Sequence, residues 1–186
     1  DKNFKIEPDL SGGNDMIELI TGPMKYTDSK IILLKILKLL QNIAHTDEKC
    51  SIHINISFDK KSGKTLEQLN PLKLILDIDE DYVFTMFPNR KNNYYAKTVK
   101  RLIPFKEFKY STDAIGIITS NLELPNTKYY GVNIKNYTEG RLEFRYIGGT
   151  DYHFKTKEIL ELQDYFILLT WNNLDKQLED EDKEKL

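Results

Sequence analysis

The sequence is short of most features that announce a specialised class. It has one cysteine, Cys50, in 186 residues. A single thiol excludes an intramolecular disulfide, so a reducing compartment is the simpler expectation. Neither sign of charge dominates, since 27 basic and 29 acidic residues leave a formal net charge of -2. No strong field draws such a chain to nucleic acid or to a membrane surface. No apolar run approaches the roughly 20 residues that span a bilayer. The nearest, Ile31 to Leu40, is broken by Lys35 and Lys38. The expectation is a cytoplasmic protein with neither a nucleic-acid nor a membrane partner. G-x-S-x-G, H-E-x-x-H and a zinc-type Cys/His cluster are all missing. Lys61-Ser62-Gly63-Lys64-Thr65 ends like a phosphate loop, but the first glycine of that motif would fall on Phe58. It reads as a flexible basic loop. Cys50 sits just before a strand, on its apolar side, which predicts a buried thiol rather than a nucleophile.

What remains is ordinary globular composition, with 40% hydrophobic and 30% charged residues and length for one domain. Residues 3–7 and 16–21 predict two short strands around turn chemistry at Asp9 to Asn14. Helical spacing over about 27–45 predicts a helix, with Thr27 and Asp28 as cap candidates. Ser51 to Phe58 alternates, with Ile52, Ile54, Ile56 and Phe58 opposite Ser51, His53, Asn55 and Ser57. A helix is expected over 66–87, with Pro71 at a start or kink, and a shorter one over 94–102. Residues 105–128 carry no clear pattern beyond a loop at Asn121 to Thr127. Residues 129–136 and 141–147 predict an antiparallel pair. A long helix should run from His153 to about Leu178. The predicted fold class is α+β, a mostly antiparallel sheet with helices on one face.

The open face of that sheet is unusual in content. Glu18, His53, Asn55, Asn133, Glu143 and Arg145 all fall at strand positions opposite the apolar side. Carboxylates that hold a divalent cation and arginines that fork onto phosphate would use such a set. A solvated face with cross-strand ion pairs would use it too. Glu143 and Arg145 lie roughly 6.5–7 Å apart along one strand, a spacing expected to suit one ligand better than a tight mutual ion pair. Arg90 lies in a polar segment after a helix and reads most simply as a loop arginine.

Four stretches resemble the amidoligase family, whose catalytic fold is similar to that of glutamine synthetase and glutamate–cysteine ligase. Glu18-Leu19-Ile20-Thr21-Gly22-Pro23 resembles the family's E-[IL]-[VI]-[ST]-x-P. Ser51-Ile52-His53-Ile54-Asn55-Ile56 resembles G-x-H-[VI]-H-[VI]. Asn89 to Ala96 resembles R-x-x-N-x-Y-[AC]. Asn133-Ile134 with Gly140-Arg141-Leu142-Glu143-Phe144-Arg145 resembles N-[LI]…G-T-[IV]-E-F-R. The resemblance runs from Glu18 to about Tyr152. It implies a glutamine synthetase-like curved sheet and an ATP-dependent carboxylate–amine ligase acting on an amino acid or peptide-like substrate through an acyl phosphate.

The resemblance also implies roles. His53, Arg90, Glu143 and Arg145 would be catalytic. Asn55, Asn93, Tyr95 and Asn133 would contact substrate or nucleotide. Glu18 and Glu143 would hold Mg²⁺, with ATP as the second cofactor. Two departures matter. Asn55 stands where the family has a second histidine and cannot titrate. The family's opening G-x-E-x-E strand should lie just before Asp1. One domain over 1–178 that lacks this first strand is therefore expected, with a charged, frayed tail over 179–186. The competing class is a non-catalytic module of that fold inside a larger assembly, with Tyr94-Tyr95 and Tyr129-Tyr130 available to a protein interface.

Overall fold

The computed structural model describes residues 4–9, 16–102, 129–136, 139–176, 179 and 181–182. The turn after Asp9, the loop at Asn121 to Thr127 and most of the charged tail lie outside them. The described chain is α+β with small antiparallel sheets. Among the described residues, strands β1 (Phe4–Pro8) and β2 (Ile17–Thr21) pair only with each other. Strands β3 (Ser51–Ile56), β4 (Val132–Asn133) and β5 (Leu142–Gly148) form a second sheet in the order β3-β5-β4. The expectation of one sheet holding all the polar positions is therefore corrected. Glu18 belongs to a separate ribbon.

The alternation of β3 and β5 decides which way the second sheet faces. Ile54, Ile56, Leu142, Phe144 and Tyr146 are buried, as that alternation predicts. Helix α1 (Tyr26–Ile43) falls close to its expected span, while helix α4 (Thr156–Asn172) follows a separate 3-10 turn (Tyr152–Phe154) and stops short of the expected end at about Leu178. Phe166 of α4 stacks on Phe144 with ring centroids 4.3 Å apart and lies 5.7 Å from the Tyr146 ring. Full burial of such a side chain contributes about 1.5–3 kcal/mol, so this contact is a main anchor between helix and sheet. Among the described residues no helix is long and apolar enough to cross a membrane.

Several expected spans change for local reasons. The helix expected over 66–87 is broken into a 3-10 turn (Leu66–Gln68), α2 (Pro71–Asp77) and α3 (Glu80–Met86). The Asn70 side chain accepts from the backbone N–H of Leu72 and of Lys73, both at 3.1 Å, with Pro71 preset at the first helical position. Asp79 caps α3 in the same way, accepting from Tyr82 N at 2.9 Å. The helix expected over 94–102 is instead a set of turns followed by a 3-10 turn (Val99–Leu102). Buried Glu80 captures that segment, accepting from Val99 N at 2.8 Å, from Tyr146 Oη at 2.8 Å and from the Thr98 hydroxyl. Helix α1 starts at Tyr26, so Asp28 lies in its first turn rather than at its cap.

The strand expected over 129–136 is reduced to β4. At Gly131, just before it, an added Cβ would fall 2.0 Å from the Tyr146 ring, so only glycine admits this approach. Part of the stretch expected to fray is seated: Asp182 is 2% exposed and pairs with buried Lys73 at 2.9 Å. Cys50 is half-buried beside the core, and burial raises its thiol pKa.

Candidate functional site

The face of the β3-β5-β4 sheet opposite the core carries Ser51, His53 and Asn55 from β3, Glu143 and Arg145 from β5, and Asn133 from β4. Antiparallel register brings Asn55 and Asn133 to either side of Glu143. An irregularity shapes the middle. Ile52 pairs with Ile147 and Ile54 with Phe144, so Arg145 and Tyr146 together face His53 alone. Such a bulge re-aims side chains next to it. Here it leaves Tyr146 and Ile147 in the core while Arg145 stays on the polar face.

Glu143 is the hub. Its Oε2 accepts from Asn133 Nδ2 at 2.8 Å and from Arg145 Nη1 at 3.1 Å. Its Oε1 lies 3.5 Å from His53 Nδ1. Burial opposes the Glu143 charge, but the Asn133 bond, the His53 ring and the Arg145 guanidinium outweigh it and hold the carboxyl below its usual range. The expectation that Glu143 and Arg145 stand too far apart to pair is corrected. The i, i+2 spacing separates the backbone positions, while the long arginine side chain reaches back along the strand.

His53 is held neutral. Burial lowers its pKa to about 4, helped by the charges of Arg145 and Arg90 and opposed by Glu143 and Asp9. Its Nε2 lies 3.1 Å from Ser51 Oγ. A carboxylate only accepts, so the ring proton belongs on Nδ1, facing Glu143. Nε2 is then the acceptor for the Ser51 hydroxyl.

Arg90 is the largest departure from expectation. Read as a loop arginine, it is 1% exposed. Its Nη2 donates to the Arg145 carbonyl at 3.0 Å. Among the described residues its Nε and Nη1 are buried without a hydrogen-bond partner, as is Nε of Arg145. Burial first, then the like charge of Arg145, lowers its pKa to about 10. A buried guanidinium with unused donors and, among the described residues, no carboxylate in contact is costly unless something else supplies the acceptors.

The remaining predicted residues divide. Glu18 lies on the separate ribbon but within electrostatic reach, since Glu143 and Arg145 both act on it. Burial, then Asp9, Glu7 and Glu143, raise its pKa. Asn93 is occupied locally, donating to the Glu48 carbonyl at 2.9 Å and accepting from Tyr95 N at 2.8 Å. The Tyr95 ring packs with Tyr94 and Tyr129, at 5.3 Å and 6.2 Å between centroids. Neither residue contacts Glu143, His53 or Arg145 among the described contacts. Ser51 was not singled out from the sequence. Its signal was its place two residues before His53 on the same strand face.

Metal fits less well than anion. Among the described residues no group of three His, Cys, Asp or Glu side chains stands ready for a metal ion. In the Lys61 to Thr65 stretch, Lys64 pairs with Asp175. The chain matches no family model, no curated protein and no solved structure.

Proposed function

We propose that the polar face of the β3-β5-β4 sheet binds the anionic group of a substrate and that the chain is an ATP-dependent carboxylate–amine ligase of the amidoligase type. One observation carries the anion reading. Two guanidinium groups sit together in a half-dry setting, with three buried N–H nitrogens that lack an acceptor. A carboxylate or a phosphate would supply those acceptors, and planar guanidinium matches either geometry. The ligase reading rests on the four motif-like stretches and on the meeting of His53, Arg90, Glu143 and Arg145 at one face. The finer fold reading, a glutamine synthetase-like sheet, belongs to the same proposal. The polar-out, apolar-in alternation of β3 and β5 supports it.

For ATP, Arg90 and Arg145 suit the phosphates. For Mg²⁺ the described residues do not fit, because Glu143 already serves Asn133, Arg145 and His53, and Glu18 stands on the other sheet. What the residues do is bind and orient: the two arginines neutralise an anion, and Glu143 fixes Arg145 and His53. That poor metal fit favours the second reading, an anion-binding module without ligase chemistry.

Calorimetric titration separates the two. ATP binding that is weakened in Arg145→Lys, together with ATP turnover that requires both a carboxylate and an amine, supports the ligase. Anion binding without turnover supports the module. No heat with ATP, inorganic phosphate or small carboxylates removes both.

A further inference from the structure

A second chemistry is written on the same face, independent of nucleotide. Ser51, His53 and Glu143 stand in line. Ser51 Oγ is 3.1 Å from His53 Nε2, and His53 Nδ1 is 3.5 Å from Glu143 Oε1. This is the order nucleophile, base, orienting carboxylate, with each group on the ring nitrogen that the order requires. Hydroxyl-to-base contacts of about 2.6–3.2 Å are productive, and longer ones tighten when substrate closes the site. Glu143 divides its oxygens between the two tasks. Oε2 is taken by Asn133 and Arg145, which leaves Oε1 for the ring.

We infer that Ser51 is a nucleophile activated by His53 and held in register by Glu143, and that this face forms a serine ester from an activated carboxylic ester or amide. Ser51 Oγ bonds to the acyl carbon while its proton passes to His53 Nε2. The bond from that carbon to the leaving alcohol or amine breaks, and the leaving group takes the proton from His53. Water then repeats the sequence, releasing the carboxylic acid and restoring the Ser51 hydroxyl. No cofactor enters the balance. Three further features favour the assignment. The Ser51 side is half-buried rather than sealed, so a substrate can reach it. The Glu143 carboxylate lies across the ring from Ser51, so the imidazolium formed when His53 takes the proton is stabilised. Arg145, bonded to Glu143, and Arg90 both act electrostatically on His53, so positive charge lies close to where an oxyanion would develop.

The test uses the unmodified chain with no nucleotide or metal present. A simple alkyl fluorophosphonate and p-nitrophenyl acetate are the two probes. The expected result is one phosphonyl group per chain, on Ser51 by peptide mapping, with fluoride lost. With the ester, a burst approaching one p-nitrophenol per chain is expected. Ser51→Ala abolishes both. His53→Gln and Glu143→Gln each slow the labelling by about 10³-fold or more while the circular dichroism spectrum stays native. Should a variant misfold, the pH profile of the wild-type labelling decides. The groups acting on His53 are Glu143 and Arg145 of β5, Arg90 and Asp9. With His53 as the base, the rate rises through a single ionisation and is flat above it. Absence of an adduct on the wild type, an adduct on another residue, or Ser51 labelling at an equal rate in folded His53→Gln overturns the assignment. So does a rate that climbs in proportion to hydroxide with no plateau. ATP binding is unaffected by these outcomes, so the proposed ligase stands or falls separately.

Discussion

The two sheets of this chain are built from similar residues and have opposite fates. The β1-β2 ribbon puts Phe4, Ile6, Ile17 and Leu19 on one face by its register, and that face stays open to solvent, with Ile6 65% and Ile17 73% exposed. The β3-β5-β4 sheet puts Ile54, Phe144 and Tyr146 on one face, and these are at most 9% exposed. Alternation is present in both. The difference is a helix: α4 lays Phe166 against β5, and nothing comparable meets the ribbon among the described residues. An apolar strand face marks what a strand is able to bury, and a neighbouring element decides whether it is buried.

The largest expected effect lies in the covered sheet. Phe166→Ala removes the ring stacked between helix and sheet and should destabilise the fold by about 3–5 kcal/mol, read from the urea midpoint. A loss below about 1 kcal/mol would mean that α4 is not the cover.

The next effect has the opposite sign. Arg90 is buried with one hydrogen bond and two idle nitrogens. Arg90→Met should leave stability unchanged or raise it by up to about 2 kcal/mol, since the cost of a buried charge disappears. It should abolish binding of ATP, phosphate or carboxylate measured by calorimetry. Lower stability with intact binding would show that Arg90 serves the fold and not a ligand.

A smaller effect concerns pH. Folding lowers the His53 pKa from 6.5 to about 4. Between those values the unfolded chain binds a proton that the folded chain does not. Stability therefore falls as pH drops from about 6.5 towards 4, and this component is absent in His53→Gln. Urea midpoints at several pH values in that window should show a shallower slope for the variant. Equal slopes would remove burial as the cause. The smallest effect is on the ribbon, where Ile17→Ser should change stability by no more than about 0.5 kcal/mol. A larger loss in the same denaturation series would reveal a partner for the open face.

Much of this was readable from residues alone. Period-two patterns located β3 and β5 and sorted His53, Asn55, Glu143 and Arg145 onto one side, because a pleated strand alternates whatever it packs on. Helical spacing found α1 and α4. Short-range competition was harder to weigh. Asn70 and Asp79 break one expected helix into three pieces by capping, and Glu80 draws residues 98 and 99 out of another. Those contacts depend on side chains turning towards particular N–H groups, which spacing alone does not report.

The site divides in the same way. By itself the sequence determined which residue types stand on which strand face, and hence that a carboxylate, an imidazole and a guanidinium would share one surface. Only the tertiary structure decided their partnerships. The bulge opposite His53 aligned Glu143 with the ring, and strand pairing brought Asn133 against the same carboxylate. Chain folding buried Arg90 under the Arg145 carbonyl, although its local sequence reads as a polar loop. The physical reason is range. Alternation and capping act over one to four residues, whereas burial, hydrogen-bond pairing across strands and the pKa of a histidine depend on groups tens of residues away that meet only once the chain has folded.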